Sequence, residues 1–252
     1  VGGIDRWARI AESNKHLEND EITRARIDLA VISVLLDAGA GDAWRYREVG
    51  ENGVYARSEG LAVASVDLFK SGALSDDPNQ PLRADAQALA KFSATDLEDA
   101  FQVSADNPLA GGDGRAGLLR SLGQGLEAHP ELFGNPARVG NLFDHFLETA
   151  TDDAIPAQSI LGAILSGLES IWPARHADDL TGGLVPFHKL AQWLSYSIVE
   201  ILEDAGMTVT GLNQLTGLPE YRNGGLFVDL GVLVPQSPKL LREPMAPSSE
   251  AI

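Results

Sequence analysis

The sequence predicts a mainly α fold in a single domain, with little or no β structure. Apolar residues recur at helical spacing in several long segments. Strand-like runs do not alternate with those segments, which argues against a doubly wound sheet. A length of 252 residues, 44% of them hydrophobic and 22% charged, is enough for one sizeable core.

The first strong helix is expected over Glu21–Ala38, where Ile22, Ile27, Leu29, Ile32, Val34, Leu35 and Leu36 make a broad apolar side, with Gly39 and Gly41 as stop signals. Glu59–Phe69 is ambiguous by period, but its length and alanines favour helix. Asp85–Phe92 and Ala94–Phe101 read as short helices, the second with Thr95 as its expected cap. Gly117–Ala128 and Ala137–Ala150 continue the pattern. Pro156 opens a helix carrying Ile160, Leu161, Ile164, Leu165, Leu168 and Ile171, closed by Pro173. Pro186 opens another, with Leu190, Trp193, Leu194, Ile198, Ile201 and Leu202 on its apolar side and Gly206 at its end. Only Gly225–Val234 looks partly like a strand, and helix stays open there. Residues 1–235 are read as the helical domain and residues 236–252 as a Pro/Ser-rich tail.

Composition removes several function classes. Without cysteine there is no disulfide framework, thiolate zinc site, iron–sulfur cluster or cysteine nucleophile. A net charge of −17 repels phosphate backbones and anionic membranes, so neither a nucleic-acid polymer nor a membrane is an expected partner. The longest apolar run, Leu29–Leu36, is far short of the roughly 20 residues that span a bilayer. No signal-peptide pattern is visible, and a cytoplasmic setting is expected.

Several motifs have both a chemical and a plain structural reading. Gly112–Gly117 spells G-x-G-x-x-G but lacks a preceding strand, so it reads as a loop feeding a helix, with Arg115 near the helix start as a candidate anion contact. Asp144, His145 and Glu148 are close in sequence, but a carboxylate-bridged metal needs further such pairs, and no metal or other cofactor is expected. No G-x-S-x-G elbow is present. Two clusters combine ring and charge. Asp42–Arg47, with Trp44 and Tyr46, is followed by Arg57-Ser58-Glu59-Gly60; it can form either a wall for a planar ligand or an aromatic cover over the core. Phe187–Trp193, with His188 and Lys189, is followed by Leu215–Gly225, where Glu220-Tyr221-Arg222 sets an acid, a phenol and a guanidinium beside a glycine turn. Lys189 at the start of an apolar helix must snorkel, pair with an acid or face a cleft.

The blocks RARIDLAVISVLLDAGAGDAWRY, ARSEGLAVASVDLF, FQVSADNPLAGGDGRAGLLRSLG, VPFHKLAQWLSYSIVE and LTGLPEYRNGGLFVDLGVL together resemble the uracil-catabolism protein family of fungi and bacteria. That family is associated with a route that opens the uracil ring while it is attached to ribose and ends in urea. The likeness runs from about Gly2 to Val234, and the chain, which opens on Val1, is expected to be a fragment of a longer family domain. More distantly, Phe187–Gln192 and Leu215-Thr216 through Arg222 are similar to the F-Y-K-x-A-Q and L-T-x-x-x-D-Y-R segments of the queuosine-nucleotide glycosidase family. Members of that family resemble helix-hairpin-helix DNA glycosylases in fold but act on a free nucleotide.

This resemblance implies a hydrolase that cleaves a ribose C1′–N bond in a small ribosyl substrate such as ribosylurea or its 5′-phosphate. Glu220 would be the carboxylate near the anomeric carbon, in place of an aspartate. Lys189 would be its neighbouring cation. Tyr221 and Arg222 would brace the acid or bind sugar or phosphate. Trp44, Tyr46, Glu59 and His188 complete the candidate substrate contacts. The change from aspartate to Glu220, and Asn223-Gly224-Gly225 after the arginine, point to a different base-side pocket. Two alternatives stay open: an amidohydrolase acting on the ureido group, and a non-catalytic nucleotide-binding or scaffold protein.

Overall fold

The computed structural model describes residues 2–152, 154–171, 189–215 and 226–234. The chain begins with α1 (Arg6–Ser13), whose start is capped by the Asp5 carboxylate accepting from the Ala8 N–H at 2.8 Å. It then enters α2 (Asn19–Leu36), the central helix. Ala25, Ile27, Leu29, Val31, Ile32, Val34, Leu35 and Leu36 are all buried there, so this helix is apolar on nearly every side. That suits an element surrounded by others. Against it pack α3 (Arg57–Lys70), α6 (Gly112–Leu126), α8 (Leu142–Thr149) and α10 (Lys189–Asp204). A hairpin of β1 (Tyr46–Arg47) and β2 (Val54–Tyr55) leads into α3, with Tyr46 opposite Tyr55 and Arg47 opposite Val54.

The middle of the chain forms α4 (Ala86–Lys91) and α5 (Ala94–Ala100), both leaning on α6. At Gly123 on α6 a Cβ would come within 2.4 Å of the Ala86 carbonyl, so glycine is what lets α4 lie this close. Next come α7 (Pro130–Phe133), a cis Asn135–Pro136 peptide, a 3-10 turn over Val139–Asn141, and α8. A parallel pair joins β3 (Ala154–Pro156) to β4 (Thr208–Thr210). Between these strands run α9 (Ala157–Gly167) and α10, the long crossover that parallel strands require. One continuous apolar core runs from Ile10 to Met207. The molecule is therefore a mainly α single domain with two short two-stranded sheets among the described residues. No helix among those residues is long and apolar enough to cross a membrane.

Three local expectations change. The cap of α5 is Ser93, not Thr95. The Ser93 hydroxyl accepts from the Asp96 N–H at 3.1 Å, and the Asp96 carboxylate accepts from the Ser93 N–H at 2.8 Å, a reciprocal box that Thr95 inside the first turn cannot make. The Gly112–Gly117 stretch is not a loop before a helix but the first turns of α6 itself, entered through Gly111 at a φ of 71°. Over 225–234, residues 226–229 form one helical turn, with the Leu230 N–H donating to Leu226 at 2.9 Å, and no strand is formed by the described residues there.

Candidate functional site

The aromatic cluster comes together, but as core. Trp44 is fully buried, its indole N–H donating to the Phe101 carbonyl at 2.9 Å and its ring stacked on Phe101 with centroids 6.1 Å apart. The Tyr46 ring also lies beside it, with centroids 6.1 Å apart, and its hydroxyl donates to Asp67 at 3.0 Å. Burial, reinforced by the Asp67 carboxylate, raises the Tyr46 phenol well above its usual range. Gly60 on α3 abuts the Trp44 ring, where a Cβ would come within 2.8 Å. The Asp42–Arg47 and Arg57–Gly60 blocks therefore meet because one packs on the other. Glu59 is exposed in the first turn of α3.

Arg115 is not an anion contact. Its guanidinium is buried and donates to the carbonyl of Leu36, the last residue of α2, at 2.9 Å, to Gly39 at 3.2 Å, and to Ala110. It closes the carbonyl end of α2, where a cation also meets the helix dipole favourably. Lys189 is the first residue of α10, with its side chain outside the described residues. His188, Glu220, Tyr221 and Arg222 also lie outside the described residues. One turn after Lys189, Gln192 is buried. At the far end of α10, Arg26 of α2 binds Asp204 at 2.5 Å and Glu200 at 3.4 Å, so the helix that carries Lys189 is tied to the central helix.

A second constellation is visible only in three dimensions. Two adjoining cavities of about 580 and 490 Å³ share Arg83, Pro130 and Gly134. The larger is lined by Asp76, Asp77, Asp85 and Glu127 beside the cis Asn135–Pro136 bond. The smaller is lined by Glu21, Arg24, Arg138, Asp144, His145 and Glu148. From the core to the rim of the smaller cavity the charges alternate. Asp28 is fully buried and accepts from Arg138 Nε at 2.7 Å and from the Gly140 N–H at 2.6 Å. Arg138 Nη1 reaches Glu21 at 2.6 Å, and its Nη2 donates to the Leu82 carbonyl at 3.3 Å. Arg24 binds Asp144 through Nε at 2.8 Å and Nη2 at 2.5 Å. Gly140 is required at this crossing, because a Cβ would stand 2.5 Å from the Arg24 carbonyl and 2.9 Å from the Asp28 carboxylate.

Electrostatics follow from depth. Burial pushes the Asp28 carboxyl up to about 7, against the opposing pull of Arg138 and the Gly140 N–H. Burial alone would lower Arg138, but Asp28 and Glu21 hold it above its ordinary value. Arg24 is raised chiefly by its bond to Asp144. Because Asp144 faces Arg24, the Asp144–His145–Glu148 trio does not converge, and no group of side chains suited to a metal ion occurs among the described residues. Sequence reasoning missed Asp28 and Arg138. The available signal was an acid inside the run IDLAVISVLL, where burial on all sides demands a buried partner.

The chain is 39% identical over 259 residues to "Uracil catabolism protein 4" of Lachancea kluyveri, an alignment covering 91% of this chain and 58% of that protein. It is 39% identical over 252 residues to "Protein urg3" of Schizosaccharomyces pombe, covering 92% of this chain and 60% of the relative. The chain thus spans under two thirds of the length of either relative. A family model described as "Protein of unknown function (DUF1688)" matches residues 1–183 and 176–251, and the chain belongs to that family.

Proposed function

We propose that this chain forms part of an N-glycosidase-like hydrolase of uracil catabolism that cleaves the C1′–N bond of a ribosylurea-type nucleoside or nucleotide. The observation that carries the reading is the 39% identity over nine-tenths of the chain to a relative named for uracil catabolism. The Phe187–Gln192 and Leu215–Arg222 segments give it a chemistry. Breaking the C1′–N bond builds positive charge on the sugar, and a carboxylate beside C1′ stabilises it and directs the attacking water. Glu220 takes that role. Lys189, opposite in charge, keeps Glu220 ionised and orients it. The water hydroxyl joins C1′, its proton ends on the departing nitrogen, and the products are free ribose (or its 5′-phosphate) and urea. Tyr221 and Arg222 hold the sugar side. The anchoring of α10 on α2 through Arg26 supports a Lys189 held on a rigid element. Trp44 and Tyr46 have no place in this chemistry, because their rings are packed in the core.

The test is incubation of the purified protein with ribosylurea and with its 5′-phosphate, following urea and reducing sugar. Urea release together with free sugar is expected, with Glu220→Gln lowering the rate by about two to three orders of magnitude. Ammonia and carbon dioxide without free sugar would assign an amidohydrolase instead. No release from either compound, or full release by Glu220→Gln, ends the N-glycosidase reading.

A further inference from the structure

In a chain with a net charge of −17, Arg24, Arg83 and Arg138 line one cavity of about 490 Å³. Two of them converge on a single carboxylate from different parts of the chain. Arg138 Nη1 binds one oxygen of Glu21 at 2.6 Å, and Arg24 Nη1 approaches the other at 3.4 Å. Each guanidinium is also held by a second carboxylate, Arg138 by Asp28 in the core and Arg24 by Asp144 on the cavity wall. Their outward edges are left pointing at the same small volume, which Glu21 occupies. Glu21 is held less firmly than the other two anions. It stands in the first turn of α2 and its second oxygen is only a 3.4 Å contact of Arg24, whereas Asp28 is sealed in the core and Asp144 is bound by Arg24 at 2.8 and 2.5 Å.

We propose that Arg24 and Arg138 form a seat for a phosphate group, and that Glu21 is a resident plug which a phosphate displaces. A phosphate monoester brings about twice the charge of a carboxylate at neutral pH and three acceptor oxygens, enough to engage the Nη1 group of each arginine. Rotation of the Glu21 side chain away from the cavity vacates the seat, while Asp28 and Asp144 continue to orient the arginines. Glu131, Asp144 and Glu148 on the same cavity oppose an incoming anion, so the expected binding is weak. The seat uses none of the residues of the proposed bond cleavage and stands or falls separately from it.

Titration of the protein with inorganic phosphate, followed by thermal stabilisation and phosphorus NMR line width at constant ionic strength held with sodium chloride, tests this. Saturable binding is expected in the unmodified protein. Glu21→Gln, which keeps the shape but drops the competing charge, should bind about fivefold to tenfold more tightly. Arg24→Met should abolish binding. Arg26→Met, which removes a guanidinium paired with Asp204 elsewhere on α2, should leave it unchanged. A gain of affinity cannot arise from misfolding, so the Glu21→Gln arm remains decisive if Arg24→Met fails to fold. Equal affinity in Glu21→Gln and the unmodified protein, binding that survives in a folded Arg24→Met, or a response that chloride reproduces would each overturn the proposal.

Discussion

Two corners of this molecule are rich in the residue types that suggest a site, and they use them differently. In the Trp44 corner each ring's polar tip has one partner: the indole N–H the Phe101 carbonyl, the Tyr46 hydroxyl the Asp67 carboxylate. The rings are packing material with polar tips that have been satisfied. In the Asp28 corner the charges themselves are buried, in an alternating series that surfaces at a cavity. The first arrangement stabilises through burial of large apolar area. The second costs desolvation and returns orientation: each guanidinium has one direction in which to point. The contrast teaches that a conspicuous aromatic–arginine string marks a core corner here, while an inconspicuous acid in an apolar helix marks the organised cleft.

The comparison can be broken at its strongest point first. Arg138→Met leaves Asp28 buried without its cation, and a loss of about 3–5 kcal/mol is expected from urea unfolding. A loss under about 1 kcal/mol would show the pair to be energetically idle. In the other corner, Trp44→Ala should cost about 3–4 kcal/mol by the same measurement, and Trp44→Phe markedly less, because packing dominates over the single indole hydrogen bond. If Trp44→Phe were as damaging as Trp44→Ala, the polar tip would outweigh the ring. The third test concerns pH. Asp28 has its folded pKa raised to about 7, above that of an exposed carboxylate in the unfolded chain. The folded state therefore binds the extra proton between about pH 4 and 7. The contribution of Asp28 to stability is fully present below that window, declines as pH rises through it and is level above. The slope is at most about 1.4 kcal/mol per pH unit. Stability measured against pH in the unmodified protein and in Asp28→Asn should diverge only in that window; parallel curves would contradict the raised pKa.

Much of the fold was legible because helix periods are local. The span of α2 agrees with its apolar pattern to within two residues at each end, and α3 likewise. What escaped depends on partners far along the chain. Arg115 reads as a loop cation near a glycine string, and only the fold brings it to the end of α2, 79 positions away from Leu36. Asp28 and Arg138 are separated by 110 positions, and neither neighbourhood carries a motif. Ser93 rather than Thr95 caps α5 because the cap must stand outside the first turn, a distinction of two residues that spacing alone does not make. The resemblance-based site residues Glu220, Tyr221 and Arg222 owe nothing to local periodicity; their assignment rests on the likeness of two segments.

Asn107 and Gln102 hold the outer side of β1 with their side-chain amides. Asn107 accepts from the Arg45 N–H at 2.8 Å and donates to the Arg45 carbonyl at 2.9 Å; Gln102 does the same at Arg47, at 3.0 and 2.7 Å. Each amide imitates one residue of a neighbouring strand. The ribbon is thereby closed along that margin without a third strand, and a chain from another molecule finds the bonding positions already taken. A segment that would otherwise template self-association is sealed by two uncharged side chains.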